Sequence, residues 1–144
     1  NLFVGEYSFK TSGDIVITAE GGVAGMPGSL TLSLDDAVGE CHIRPAEEEG
    51  NKVVVAFNVI EGKVFTTTGT CNGDKIVIDE FNCNTLPFIV NTVFTGDVDI
   101  KVSATGQMYD DMIVFDVFCS GTATAASKTY KIKGKDIRMV AYRN

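Results

Sequence analysis

The sequence predicts an all-β fold: an antiparallel up-and-down β-barrel of about eight to ten strands, with a two-sheet β-sandwich as the alternative. The 144-residue chain contains 42 β-branched residues (17 Val, 11 Ile and 14 Thr) against 5 Leu and 10 Ala, a composition typical of β-sheets. Short apolar runs alternate with Gly, Asn and Asp turn signals. Regular sequential hairpins of this kind favour the barrel over the sandwich.

The first half of the chain consists of short predicted strands. Residues 3–10 and 14–20 are separated by Thr-Ser-Gly, which predicts a hairpin turn. Residues 29–34 alternate Leu with Ser or Thr, the period-2 pattern of a strand with one core face and one wet face. Residues 40–44 are predicted to form a further short strand. The nearly continuous apolar run at 52–60 predicts a strand covered on both faces, followed by a turn and another strand.

Residues 66–84 and 103–121 carry the strongest internal signal. At an offset of 37 residues they share seven of 19 positions, in the frame T-G-x4-D-x-I-V-x-D-x-F. Each segment is typical of strand, tight turn and strand, with the turns at Asn72-Gly73 and Tyr109-Asp110. We therefore interpret residues 1–144 as a single all-β domain with two related hairpin units at these positions.

Strand alternation sets one Asp of each hairpin unit between apolar neighbours. It places Val77, Asp79 and Phe81 on one face of the first unit, and Asp116 and Phe118 on one face of the second. A carboxylate on an apolar face lies at a wet rim, pairs with a cation or hydroxyl, or lines a ligand cavity. The candidate ligand-binding residues are Phe57, Phe65, Asp79, Phe81, Asp116 and Phe118, with the four phenylalanines lining the barrel interior.

Catalytic and metal chemistry have little support in the sequence. His42 is the only histidine, and no nucleophile-elbow, zinc-protease or phosphate-loop motif is present, so we predict no catalytic residue, no metal and no cofactor. Cys41, Cys71, Cys83 and Cys119 contain no C-x-x-C spacing. Free buried thiols and one or two disulfides both remain open, although the hairpin geometry separates Cys71 from Cys83 too far for a bridge.

Charge is distributed unevenly. The net charge of −7 argues against nucleic-acid binding, which depends on Lys and Arg neutralising phosphates. Residues 128–143 nevertheless hold six basic side chains and one acidic one. This basic strip is typical of the solvent face of a terminal strand, and it also suits contact with an anionic glycan or lipid headgroups.

The opening F-V-G-E-Y-S-F, the hairpin segment G-D-K-I-V-I-D-E-F and the basic last strand resemble the calycin-like or lipocalin-like β-barrel domains of secreted lipoproteins of the Bacteroidetes. Gly5 and Tyr7 match the G-x-Y/W opening of that family's first strand; the chain has no Trp. The resemblance implies an up-and-down barrel, a small apolar ligand and a lipid anchor upstream of Asn1. It also implies placement in the periplasm or at the outer-membrane surface of a Gram-negative bacterium.

Together these observations predict an exported, non-enzymatic, monomeric binding protein for a small hydrophobic or amphipathic ligand. The sequence opens at Asn1 without a Met or a signal-peptide pattern, so we expect a processed or trimmed start. The alternative is a cell-surface adhesion or scaffold module without a ligand pocket, which would use exposed strands and the basic strip to contact glycan or lipid. An interior cavity of several hundred cubic ångströms would favour the first interpretation.

Overall fold

The computed structural model describes residues 1–19, 29–46, 50–59, 64–84, 97–125 and 128–144. Nothing in these ranges forms a helix long and apolar enough to cross a membrane. Their regular structure consists of nine strands: β1 (Gly5–Ala19), β2 (Ser29–Ser33), β3 (Val38–Pro45), β4 (Lys52–Val59), β5 (Val64–Asn72), β6 (Lys75–Cys83), β7 (Asp97–Tyr109), β8 (Met112–Ala125) and β9 (Lys128–Arg143).

The strands form one closed antiparallel barrel with eight strand positions. From β3 to β9 each strand pairs with the next along the chain, and β2 and β3 pair with successive parts of β1, so they share one position. The barrel closes because β9 also pairs with β1, from Tyr7 opposite Arg143 to Ala19 opposite Tyr130. The predicted up-and-down barrel is confirmed, and the alternative two-sheet sandwich is wrong.

The predicted hairpin at Thr-Ser-Gly is wrong, because β1 is one continuous strand with an irregular register between Ser12 and Asp14. Gly13 has a φ of +101°, and a Cβ there would lie 2.4 Å from the carbonyl oxygen of Asp136 on β9. Only glycine tolerates both this conformation and this close approach. Turn-forming residues here therefore make a bulge within the strand and not a chain reversal.

Two further predictions need correction. Both hairpin turns lie one residue later than predicted, at Gly73-Asp74 and Asp110-Asp111, so that the positive-φ residue comes first in each turn. On β4, Val53, Val55 and Phe57 are buried, but the residues between them are half-buried on the outer wall. This strand was predicted to be covered on both faces, whereas only its inner face lies in the core.

The core fills the barrel interior with alternate residues of the strands. All four cysteines are buried there as free thiols, which resolves the open question in favour of reduced cysteines in this structure. The largest fully buried side chains are Phe3, Tyr7, Phe9, Ile15, Leu34, Ile76, Ile100, Ile113, Phe115 and Ile132.

One end of the barrel is covered by the start of the chain. Phe3 is completely buried, and the Tyr7 hydroxyl donates a hydrogen bond to its carbonyl oxygen at 2.8 Å. Two guanidinium nitrogens of Arg143 donate to the carbonyls of Val4 and Leu2, each at 2.8 Å. The same guanidinium lies 5.0 Å from the centre of the Tyr7 ring. We call these five residues the N-terminal latch, because they fasten the first residues to the last strand.

Candidate functional site

Three of the six predicted site residues meet inside the barrel. The ring centroid of Phe57 lies 5.5 Å from that of Phe65 and 5.6 Å from that of Phe81, and the last two are 6.1 Å apart. These separations are within the range of favourable aromatic contacts. Phe57 is buried, and the other two are partly buried against the core. β4, β5 and β6 thus each contribute one ring to an interior aromatic cluster.

The described interior beside this cluster is nearly full. Its cavity measures about 20 Å³ and has an entirely apolar lining that includes Phe57, Phe81, Ala104 and Met139. A single water needs roughly 10–15 Å³, whereas small-molecule pockets measure about 300–1,000 Å³. This cavity beside the aromatic cluster therefore has space for about one water and not for a small-molecule ligand.

Phe81 points inward because β6 contains a bulge. The pairing of β6 with β7 shifts register between Ile78 and Phe81. Under strict alternation Glu80 would face the core, where the related unit has Val117. Burying a polar group without a hydrogen-bond partner costs on the order of 2–7 kcal/mol. The bulge avoids this cost, because the additional residue on β6 turns the Glu80 carboxylate outward. The prediction that Phe81 shares a face with Asp79 is therefore wrong.

The other three predicted residues lie on the outer wall. Phe118 is 57% exposed, so the prediction that it lines the interior is wrong. β8 keeps strict alternation through Phe115 and Val117, which leaves both Asp116 and Phe118 outside. Asp79 also lies outside, where the Thr68 hydroxyl donates a hydrogen bond to its carboxylate. The two repeat carboxylates do not face one common lumen.

Asp116 and Phe118 belong to a large open groove on the outer wall. It has a volume of about 920 Å³ and is lined by β6, β7, β8 and β9, with Ser12 from β1. Register irregularities lie at three places around it, on β6, between β8 and β9, and between β1 and β9. Bulges bend strands and increase their twist. These three irregularities, including the one that turns Glu80 outward, therefore shape the groove. We call it the outer groove.

Phe118 lies at the centre of the outer groove. Phe118 is on β8, directly opposite Ser103 on β7. The neighbouring row of the sheet runs from Lys101 through Ser120 to Lys133, each directly opposite the next. Residues opposite or diagonal to each other on one face lie within reach of long side chains. An exposed aromatic ring is thus bordered by a cross-strand row of lysine, hydroxyl and lysine.

The outer groove is more basic than the protein that carries it. Its lining contains four basic and three acidic side chains, although the whole chain has a net charge of −7. Lys101 lies 4.0 Å from Glu80, and Arg138 lies 3.6 Å from Asp116. Neither Lys133 nor Lys135 has an acidic partner within 4 Å among the described residues. These two ammonium groups are available to an anionic ligand.

The basic strip is evident in the sequence, but its place beside Phe118 is not. Strand alternation contained the signal for an outward Phe118, since Phe115 and Val117 fit the core pattern, but Phe118 was predicted to line the interior. The positions of Lys133 and Lys135 depend on an extra residue in β9 opposite β8, where Asp136 adopts a φ of 52°. Nothing in the local sequence of β9 identifies its register against β8.

The histidine lies apart from the outer groove, and the cysteine thiols are buried. His42 is on the outer face of β3, 3.5 Å from Glu6 and 3.7 Å from Glu40. Burial raises the pKa of the Cys41 thiol to about 12 and that of Cys119 to about 11, which opposes formation of the reactive thiolate. No group of three potential metal ligands occurs in the described ranges.

No protein-family model matches this chain, and no curated protein matches it. Among solved structures, one described as EF1p2_mFAP2b bound to DFHBI is 14% identical, covers 99% of this chain and 94% of its own, and superposes with a TM-score of 0.44. We therefore infer function from the geometry of the outer groove itself.

Proposed function

We propose that this chain is an exported, non-enzymatic binding protein that holds a small amphipathic ligand with an anionic group in its outer groove. The observation that carries the proposal is the contrast between about 920 Å³ of space around Phe118 and about 20 Å³ in the cavity beside the aromatic cluster. A ligand of this class would place its apolar part against the Phe118 ring and its anionic group beside Lys133 or Lys135.

The remaining parts of the proposal rest on the residues already described. A non-catalytic role is supported by the position of His42 on β3, which contributes no residue to the groove lining, and by the buried, protonated state of Cys41. Location in the periplasm or at the outer-membrane surface, with an upstream lipid anchor, is supported by the Gly5–Tyr7 opening motif and its family resemblance. We further propose that the protein acts as a monomer.

The test uses 8-anilinonaphthalene-1-sulfonate, which combines aromatic rings with one sulfonate. Its fluorescence should rise on binding to the native protein, and Phe118→Ser should weaken binding about tenfold, equivalent to about 1.4 kcal/mol. Tyr109→Ser is the matched control, because Tyr109 is 54% exposed but lies outside the groove. Ala104→Val, which narrows the interior cavity, should leave binding unchanged.

Circular dichroism of each variant establishes that its fold is intact before binding is compared. Equal loss in Phe118→Ser and Tyr109→Ser would mean nonspecific adsorption to exposed aromatic rings. Loss in Ala104→Val alone would place the dye inside the barrel. Either result, or the lack of any binding by the wild type, would overturn the proposal.

A further inference from the structure

We infer that the natural ligand of the outer groove is an acidic oligosaccharide, an inference that rests on the proposed function and specifies its ligand class. The first reason is the exposed ring of Phe118, which is 57% accessible at the centre of an open groove. The negative face of an aromatic ring attracts the weakly positive C–H groups on one face of a sugar ring. A flat saccharide face therefore has a platform here that needs no enclosed pocket.

The second reason is the arrangement of charge beside that platform. Lys101 and Lys133 lie in one cross-strand row on either side of Ser120. Lys133 has no acidic partner among the described residues, and the exposed ion pair of Lys101 with Glu80, at 4.0 Å, is weak. Adjacent strands are about 4.8 Å apart, so the backbones of the two lysines are separated by roughly 10 Å. Two separated cations with a hydroxyl between them suit a ligand that carries anionic groups at intervals and hydroxyls in between. An acidic oligosaccharide has this pattern.

The third reason is that the charge is local and sparse. Three acidic side chains, Glu80, Asp116 and Asp136, share the groove with its four basic ones, and the whole chain is acidic. Duplex DNA carries one charge per about 1.7 Å of its axis and requires dense cationic contacts. Acidic side chains in the groove oppose such a polyanion, while their carboxylates can accept hydrogen bonds from sugar hydroxyls. The charge pattern thus favours a hydroxyl-rich acidic oligosaccharide over duplex DNA.

The fourth reason is shape. A groove of about 920 Å³ that is open to solvent accommodates a chain lying across β7, β8 and β9. A glycan chain can follow this surface with one sugar ring against Phe118 and its hydroxyls beside Ser120.

The experiment measures binding of trigalacturonate, a heparin tetrasaccharide and maltotriose to the full chain by isothermal titration calorimetry, with displacement of the bound anilinonaphthalene dye as a second readout. We expect the acidic oligosaccharides to bind at least tenfold more tightly than neutral maltotriose and to displace the dye. Trigalacturonate carries only carboxylates, whereas the heparin fragment also carries sulfates. Comparing their affinities shows which anionic group the groove prefers.

The variants separate groove contacts from overall charge. The double variant Lys133→Ala with Lys135→Ala should weaken binding of the acidic oligosaccharides about tenfold. The matched control, Lys10→Ala with Lys75→Ala, changes the net charge equally at exposed positions outside the groove lining and should bind as the wild type does. Equal loss in both pairs would overturn the inference, because it would reflect general electrostatics alone.

The outcomes also separate this inference from the proposed function. Dye binding that depends on Phe118 but is not displaced by either acidic oligosaccharide would refute the glycan and leave the groove as a site for another amphipathic anion. Failure of both dye and oligosaccharides would refute both. Binding to anionic phosphatidylglycerol vesicles in place of the oligosaccharides would identify a membrane as the occupant and overturn the inference.

Discussion

Replacement of Arg143 by alanine is expected to destabilise the barrel more than any other single loss of a charge on β9. Its guanidinium donates to the carbonyls of Leu2 and Val4, lies over the Tyr7 ring, and is 3.3 Å from an Asp111 carboxylate oxygen. Only 26% of the Arg143 side chain is exposed. Arg143→Ala therefore releases the first residues of the chain from the last strand.

The magnitude follows from these contacts. A hydrogen bond from a charged donor contributes roughly 1.5 kcal/mol or more when it is shielded, and less when it is exposed. The cation–π contact adds about 0.5–1 kcal/mol, and the ion pair with the largely exposed Asp111 adds at most about 0.5. The expected loss is about 3 kcal/mol. For a domain of this length, this corresponds to a fall in Tm of about 6–12 °C.

Thermal and urea unfolding followed by far-UV circular dichroism measures the loss, since the chain has no tryptophan to report fluorescence. Arg138→Ala is the matched control: it removes the same charge from the same strand, but Arg138 is 59% exposed and has one ion pair. The control should lose about 0.5 kcal/mol or less. If Arg143→Ala loses no more than Arg138→Ala, the latch does not stabilise the barrel and the reasoning fails.

Two further predictions concern the core. The Cys41 thiol has a pKa raised from 9.0 to about 12 by burial, so its contribution to stability is complete below pH 9 and is lost between pH 9 and 12. The free energy of unfolding of the wild type, measured in urea, should accordingly fall more steeply above pH 9 than that of Cys41→Ala, by up to about 1.4 kcal/mol per pH unit. Parallel curves of free energy against pH would contradict this prediction. Phe81→Ala should cost about 2 kcal/mol and Phe118→Ala less than about 0.5 in the same urea assay. Equal costs would mean that the two residues do not face opposite sides of the wall.

The barrel class could be predicted because many weak local signals agree. β-branched composition, period-2 alternation and turn residues each favour sequential antiparallel strands. Such a meander leaves two edge strands with unpaired backbone groups, and the pairing of β1 with β9 supplies their hydrogen bonds. The Thr-Ser-Gly hairpin was predicted wrongly because a glycine at positive φ serves equally in a turn and in a bulge. At Gly13 the bulge is distinguished from a turn only by the backbone of Asp136, which is far along the chain but packs against Gly13.

The candidate site was predictable in part for a similar reason. The spacing from Ile76 to Ile78 to Phe81 breaks the period of two, and Glu80 at an inward position is the local sign of a bulge. That signal was present but was not used, so Phe81 was predicted to share a face with Asp79. The outer groove depends on register irregularities in several strand pairs, and its lining comes from residues as distant as Ser12 and Arg138. Local sequence patterns do not determine such distant registers.

The seam between β1 and β9 also determines when this protein can fold. Ser8 contacts Asn144 across 136 residues of sequence, so the ring of strands stays open until β9 is available to pair with β1. Contacts this distant in sequence close slowly, since the entropy of a long loop must be overcome first. A chain that emerges from a ribosome therefore waits with two unpaired strand edges, and it completes its native structure only after β9 has emerged.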